Sequence, residues 1–291
     1  MDVEVHVVDA FIIGETGGNA AGVVLDADHL TETQMQATAT EMGLSETVFL
    51  SRSEKAGFKL DFFTPNLRTA DCGHATVAAF SLLKALGRLP GDRSSKEIIN
   101  GVRDIFVEGD AIYMEQKAPV FTPFPQHQQA IAASLNIGLD QFAAPAEAVD
   151  TGTRFLMVAL KDEARVKAVI PDQNKILALS NELDLIGYYV FSKHGEGSEH
   201  QAGARMFGPR FAIDEESATG MAAGPCSCFL HQRLGLDKNI IQIEQGWLMD
   251  PPSRSLLTAR LQVEDGRITS LKVGGVGRKR KTIRVVLNEL A

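Results

Sequence analysis

The sequence predicts an α+β protein built from two similar halves, and three observations carry that prediction. At 291 residues the chain has the length of about two domains. A strand–turn–glycine–helix plan occurs twice along it. The first helix of that plan has almost no polar face in its opening turns, so it needs protein on every side, as inside a curled sheet. The composition, 44% apolar and 23% charged, is an ordinary globular mixture and excludes collagen, a long disordered chain and a coiled coil.

The elements follow in order. Period-2 alternation and β-branched residues predict strands over Val3–Phe11 and Gly22–Leu25, separated by a glycine-rich turn at Gly14–Gly18. A helix should start at Thr31, whose spacing to Gln34 is that of a capping box, and should stop at Gly43. Strands at Thr47–Ser51 and Gly57–Phe63 and a turn at Thr64-Pro65-Asn66 come next. Gly73–Leu86 reads as the apolar helix. The proline-bearing stretch Ala118–Pro125 reads as a linker.

The same grammar then returns. Phe62-Phe63-Thr64-Pro65 is echoed by Met206-Phe207-Gly208-Pro209, and Cys72-Gly73-His74-Ala75-Thr76 by Thr219-Gly220-Met221-Ala222-Ala223. Gly73–Gly87 and Gly220–Gly235 have matching lengths, with Pro225 expected near the first turn of the second helix. The echo suggests an internal duplication, the alternative being a chance match of short Gly/Ala segments. Each helix would open on a glycine, where unpaired N–H groups and the positive end of the helix dipole suit an anion. Two such ends facing one cleft would suit a small carboxylate.

Charge and cysteine usage bound the partners. With 29 Lys+Arg against 37 Asp+Glu the net charge is -8, which argues against nucleic acid. The one dense basic run, Arg278 to Lys281, reads as a solvated loop. Three cysteines, Cys72, Cys226 and Cys228, are too few and too odd a number for a disulfide framework and point to a reducing compartment. The first residues alternate acidic and apolar side chains, unlike a secretory signal, and Ala75–Leu86 is too short to span a bilayer. A cytoplasmic protein without a membrane partner is the expectation.

Several motifs in this order and spacing resemble one family. They are Val8-Asp9-Ala10-Phe11 with Gly18-Asn19-Ala20-Ala21, Gly43-Leu44-Ser45-Glu46-Thr47-Val48-Phe49, and Phe63-Thr64-Pro65 followed by Cys72-Gly73-His74-Ala75-Thr76. In the second half they are Phe207-Gly208-Pro209, Ala218-Thr219-Gly220 and Gln245-Gly246. Together they resemble the PhzF-like phenazine-biosynthesis proteins, within the diaminopimelate-epimerase fold superfamily. The resemblance implies two similar α+β domains, each a mostly antiparallel sheet rolled around a central apolar helix. It also implies an active site between the domains, a homodimer and no cofactor. The domains would span residues 1–118 with 282–291, and 126–281.

Glu46 is the first candidate for chemistry. It sits between Ser45 and the apolar run Val48-Phe49-Leu50, where partial burial would suit a carboxyl to give and take protons near neutrality. In the resembled isomerases the matching glutamate moves a proton between carbons of a dihydro-hydroxyanthranilate ring. His74 opens the first helix and can hydrogen-bond a substrate, its ring kept neutral by the helix end. The resemblance adds Glu216 as an active-site acid, and Gly73, Gly220, Met221 and Asn19 as substrate-binding positions.

Departures and exclusions sharpen the reading. The family pattern has Asp-Pro before the second Thr-Gly pair and Ser after it; this chain has Glu216-Ser217 and Met221. Arg68 and Asp250-Pro251 also depart from it. A racemase of this fold uses a cysteine before each central helix, but here Thr219 faces Cys72 across the repeat. That disfavours the two-thiol reading and makes Cys72 a small buried residue. His194 and His200 are six apart, Cys226 and Cys228 diverge on a helix, and no phosphate-binding loop appears, so no metal or nucleotide site is expected. The reading is a cofactor-independent isomerase acting on a small carboxylated substrate. The alternatives are a non-catalytic carboxylate-binding protein and a one-thiol epimerase using Cys72.

Overall fold

The computed structural model describes residues 1–287, and the chain divides into two compact units. One comprises Met1–Glu115 with the chain from Gly274 onward; the other is Gln116–Val273. The architecture is mostly sheet with few helices.

In the first unit, β1 (Asp2–Ala10) pairs antiparallel with β2 (Asn19–Val24), as the alternation predicts. The helix α1 (Glu32–Met42) then crosses over so that β3 (Thr47–Ser51) runs parallel to β2. Its ends are as the sequence reads: Thr31 and Gln34 form a reciprocal capping box, and Gly43 closes the helix at φ 61°. Next, β4 (Phe58–Phe63) returns antiparallel to β3 and carries the two-residue β5 (Arg68–Thr69) on its end. The turn between them is held by the Thr64 hydroxyl, which accepts from the N–H groups of Asn66 and Leu67.

After α2 (Gly73–Ala85) comes β6 (Arg93–Ile98), parallel to β4, followed by the antiparallel strands β7 (Gly101–Glu108) and β8 (Ala111–Gln116). The final strand of the chain pairs with both β8 and β1, so the strands of this unit form a closed, barrel-like ring. Every residue of α2 from Gly73 to Leu83 is buried, and the helix packs on β1, β2 and β3. Its buried Ser81 lies against Gly277. A Cβ at Gly277 would come within 2.7 Å of the Ser81 oxygen, so only glycine fits there.

The second unit opens on a correction. The stretch expected to be a linker contains β9 (Val120–Pro123), antiparallel to β10 (Glu147–Asp150). Pro123 is tolerated because it is the last residue of the strand. The short α3 (Gln128–Ser134) lies between these two strands. Then β11 (Arg154–Leu160) pairs antiparallel with β10, and α4 (Glu163–Ala168) and α5 (Gln173–Glu182) lead to β12 (Gly187–Lys193), parallel to β11. From there β13 (Ala202–Gly208) and β14 (Ile213–Glu216) follow antiparallel, and α6 (Gly220–Arg233) crosses to β15 (Ile240–Gln245), parallel to β13.

The strand β16 (Ser255–Glu264) pairs antiparallel with β15 and turns at Asp265-Gly266 into β17 (Arg267–Val286), the strand that closes the first unit. Like α2, α6 is buried along most of its length, packed on β10, β11, β12 and β16. That packing explains a second departure from expectation. Pro225 lies inside α6, beyond the first turn. It removes the hydrogen bond that the Met221 carbonyl would accept, and burial on several sides keeps the helix continuous through the gap.

The basic run Arg278 to Lys281 is likewise no loop. It is part of β17, where Arg278 pairs with Glu15, and Arg280 makes a bidentate ion pair with Asp9 of β1. The expectation failed because those arginines find acidic partners on or beside a strand at the other end of the sequence. Among the described residues, no helix is long and apolar enough to cross a membrane.

Candidate active site

In the first unit the candidate acid Glu46 stands immediately before β3. Its backbone carbonyl accepts from Gly22 N–H of β2 at 3.0 Å, which fixes where the side chain leaves the sheet. The side chain is buried, 6% exposed, and its Oε1 accepts the Thr69 hydroxyl proton at 2.5 Å. Two residues of β5 thus divide their tasks by strand alternation. Thr69 turns to Glu46, while Arg68 goes to Asp61 and Glu32.

His74, in the first turn of α2, is 5% exposed. Its Nε2 lies 3.4 Å from the Ser45 hydroxyl, the residue beside Glu46, and its Nδ1 lies 3.3 Å from Cys72 Sγ. Burial pushes the imidazole down to about 4, so the ring is neutral at pH 7. The sequence reading attributed neutrality to the helix end; the cause is desolvation. Cys72 also differs from expectation. It is half-buried rather than buried, at the N-cap of α2, with its thiol against the His74 ring.

The loop that leads into α2 is held by a residue the sequence reading missed. Lys96 of β6 is 1% exposed, and its ammonium donates to Asp71 and, at 2.9 Å, to the Thr76 hydroxyl, while lying 5.4 Å from the centre of the Phe62 ring. Thr76 in turn donates to the Cys72 carbonyl at 2.6 Å. A buried cation therefore anchors Asp71, Cys72 and the first turn of α2. In the sequence it is marked only by standing two residues before Ile98, in the alternation that puts both on one face of β6. Asn19 is buried at the start of β2, opposite Ala10 in the register, and Gly73 is the first residue of α2.

In the second unit, Glu216 ends β14 opposite Met206 of β13. The preceding Glu215 is taken by Arg205 in a bidentate ion pair at 2.9 and 2.8 Å. Glu216 instead accepts the Thr219 hydroxyl proton on Oε2 at 2.5 Å, and Thr219 is the N-cap of α6. Gly220 opens that helix, its carbonyl accepting from Gln116 Nε2 at 3.1 Å, and the half-buried Met221 follows.

Gln245, the last residue of β15, ties these pieces together and gives a physical reason for the Gln-Gly pair in the sequence. Fully buried, it bonds through its side chain to Glu216, Thr219 and Tyr189. Gly246 follows at φ 83°, where an added Cβ would lie 2.1 Å from the Ser253 carbonyl oxygen. Cys226 and Cys228 are interior to α6; burial pushes both thiols up, Cys228 to about 12. Among the described residues, no group of three or more His, Cys, Asp and Glu side chains is arranged to hold a metal ion.

Thus Glu46, His74 and Cys72 share one neighbourhood in the first unit. Glu216, Gly220 and Met221 share another in the second.

Comparison with known proteins adds a frame to this geometry. The profile of the PhzC-PhzF family, phenazine biosynthesis-like protein, matches residues 8–278. The uncharacterized isomerase YddE of Escherichia coli O157:H7 is 34% identical over 255 residues, covering 84% of this chain and 85% of that protein. The trans-2,3-dihydro-3-hydroxyanthranilate isomerase of Pseudomonas aeruginosa is 31% identical over 279 residues, covering 93% and 95%. A Bacillus anthracis phenazine biosynthesis protein of the PhzF family superposes with a TM-score of 0.88 at 25% identity, covering 99% of this chain and 100% of that one. A hydroxyproline epimerase from Agrobacterium vitis shares the fold alone, with a TM-score of 0.61 at 12% identity and coverage of 99% and 94%.

Proposed function

Because the chain belongs to the phenazine biosynthesis-like PhzC-PhzF family and is an isomerase of that family, we propose that it moves a proton on a small carboxylated substrate without a cofactor. Glu46 is the general acid/base. The observation that carries the reading is the burial of Glu46, with the Thr69 hydroxyl donating to one carboxylate oxygen and the neighbouring Ser45 hydroxyl 3.4 Å from a neutral imidazole. A carboxylate so held can take a proton from a substrate carbon and return it to another.

His74, neutral at pH 7, can offer one ring N–H and one lone pair without bringing a charge into the site. The first turns of α2 and α6, at Gly73 and at Gly220 with Met221, supply backbone N–H groups suited to a carboxylate. Glu216 and Asn19 complete the reading as a second acid and a positioning amide. The fold detail that goes with it is diaminopimelate-epimerase-like. A mostly antiparallel sheet is rolled around α2 in one domain and around α6 in the other, which the burial of both helices supports. A cytoplasmic homodimer without nucleic-acid or membrane partners belongs to the same proposal.

The test is solvent-deuterium incorporation into trans-2,3-dihydro-3-hydroxyanthranilate and a panel of related small amino carboxylates. The variant Glu46→Gln keeps the volume and the Thr69 contact but loses the base, and its exchange rate should fall by about 1,000-fold. Exchange at the wild-type rate would sink the assignment.

One contact favours a second reading. Cys72 stands at the N-cap of α2 with its Sγ 3.3 Å from His74 Nδ1, a place where the helix end favours a thiolate, as a one-thiol epimerase would need. Under that reading Cys72→Ala abolishes exchange and the product has inverted chirality; under the first, Cys72→Ala still exchanges. Binding of a carboxylate without exchange in any variant would favour the non-catalytic alternative.

A further inference from the structure

The hydrogen-bond directions around Gln245 can be worked out from one fact, that a backbone N–H only donates. Thr219 N–H points at the side-chain amide of Gln245 at 3.1 Å, so the atom it meets is the oxygen, Oε1. The buried Tyr189 hydroxyl donates to the same oxygen at 2.9 Å. The amide nitrogen Nε2 then has two protons to give. One goes to the Glu216 backbone carbonyl at 2.6 Å and the other to the Thr219 hydroxyl oxygen at 3.1 Å. A threonine hydroxyl has a single proton. With an N–H already directed at its oxygen, that proton is given to Glu216 Oε2.

We propose that Gln245 is a positioning residue that acts through Thr219 to commit Glu216 to accept a proton rather than donate one. It rests on the reading above only in taking Glu216 as part of the site. The two acids of that reading are thereby given different standing. Glu216 is wired as an acceptor by a neutral chain of donors that begins at the backbone, whereas Glu46 has a threonine donor from the short strand β5.

Tyr189 of β12 and Cys226 of α6 are titratable groups that lie against this network. Burial pushes the proton affinity of both far up, so both remain neutral across the accessible pH range. Glu215, next along β14, is turned to Arg205 of β13.

The test needs no substrate. In the full-length protein labelled with ¹³C-glutamate, the Glu216 carboxyl resonance is identified by its disappearance in Glu216→Gln and followed against pH. Thr219→Val keeps the backbone N–H and the side-chain shape but removes the hydroxyl. Gln245→Met keeps the length but removes the amide. Each should raise the midpoint of the Glu216 titration by about one pH unit, the loss of one hydrogen bond to the charged form, and the double variant should go no further than Thr219→Val alone. Thr219→Ser, which keeps the hydroxyl, should restore the wild-type midpoint.

A folded Thr219→Val protein with an unmoved midpoint would overturn the proposal. So would a Thr219→Ser shift as large as that of Thr219→Val. If Gln245→Met fails to fold, the valine and serine pair still decides. The titration stands or falls separately from turnover, so failure of the isomerase reading would show in deuterium exchange and not here.

Discussion

The two units hold the start of a buried helix above a glutamate by opposite means. In the first, the anchor is ionic: Lys96, almost wholly buried, pairs with Asp71 and supports Thr76, which fixes the chain at Cys72. In the second, the anchor is neutral: Gln245 satisfies Tyr189, Thr219 and the Glu216 backbone through one amide. In both, a threonine hydroxyl donates to the glutamate, but Thr69 comes from a separate short strand and Thr219 is the helix cap itself. Each unit therefore has a fixed helix start near a carboxylate that accepts from a threonine, and the two are secured by different chemistry.

The sharpest way to break this comparison is to remove each anchor. Lys96→Met strands the Asp71 carboxylate beside an apolar side chain. It should cost about 3–5 kcal/mol of unfolding free energy by urea titration. Part of that should return in Lys96→Met/Asp71→Asn, which carries no orphaned charge. Gln245→Met leaves only neutral groups unpaired and should cost less, about 2 kcal/mol. Equal losses would show that the ionic and neutral anchors are energetically equivalent after all.

A second effect separates the units by pH. His74 binds its proton near 6.5 when unfolded but only at about 4 in the fold. The unfolded chain therefore takes up the proton first as pH falls. The stability that a neutral His74 contributes is complete above pH 6.5 and declines between there and about pH 4, by about 3 kcal/mol in all. Equilibrium unfolding of wild type against His74→Gln over that window should show this slope in the wild type alone. A parallel slope in both would place the acid sensitivity elsewhere. The smallest effect is expected at the α1 cap. Thr31→Ala should cost about 1 kcal/mol and leave Glu46-dependent exchange unchanged.

What the sequence made legible was local. Thr31, Gln34 and Gly43 lie within one helix and its caps, and the structure has them as read. Strands β1 and β3 and the start of α2 at Gly73 were legible for the same reason, since alternation and glycine act over a few residues. The misreadings share a cause in partners distant along the chain. Val120–Pro123 becomes a strand because Glu147–Asp150 is there to pair with it, and the basic run becomes a strand because Asp9 and its neighbours on β1 accept it. Lys96 and Gln245 were not found as anchors because a single lysine or glutamine has no signature until the residues it bonds are folded against it. The proline inside α6 was misjudged because local propensity counts the missing hydrogen bond and not the burial around the helix.

The pairing of β17 with β1 has a consequence for how the molecule is made. Asp2 is opposite Val286 and His6 opposite Thr282, so the ring of the first unit closes only when nearly the whole chain exists. During synthesis its early strands must wait, with their edges unpaired, while the second unit, continuous from Gln116 to Val273, is translated and can fold. Closing so long a loop is also the slow kind of contact. The half that leaves the ribosome first is thus the half that finishes last, and its exposed β1 edge is where aggregation during expression should begin.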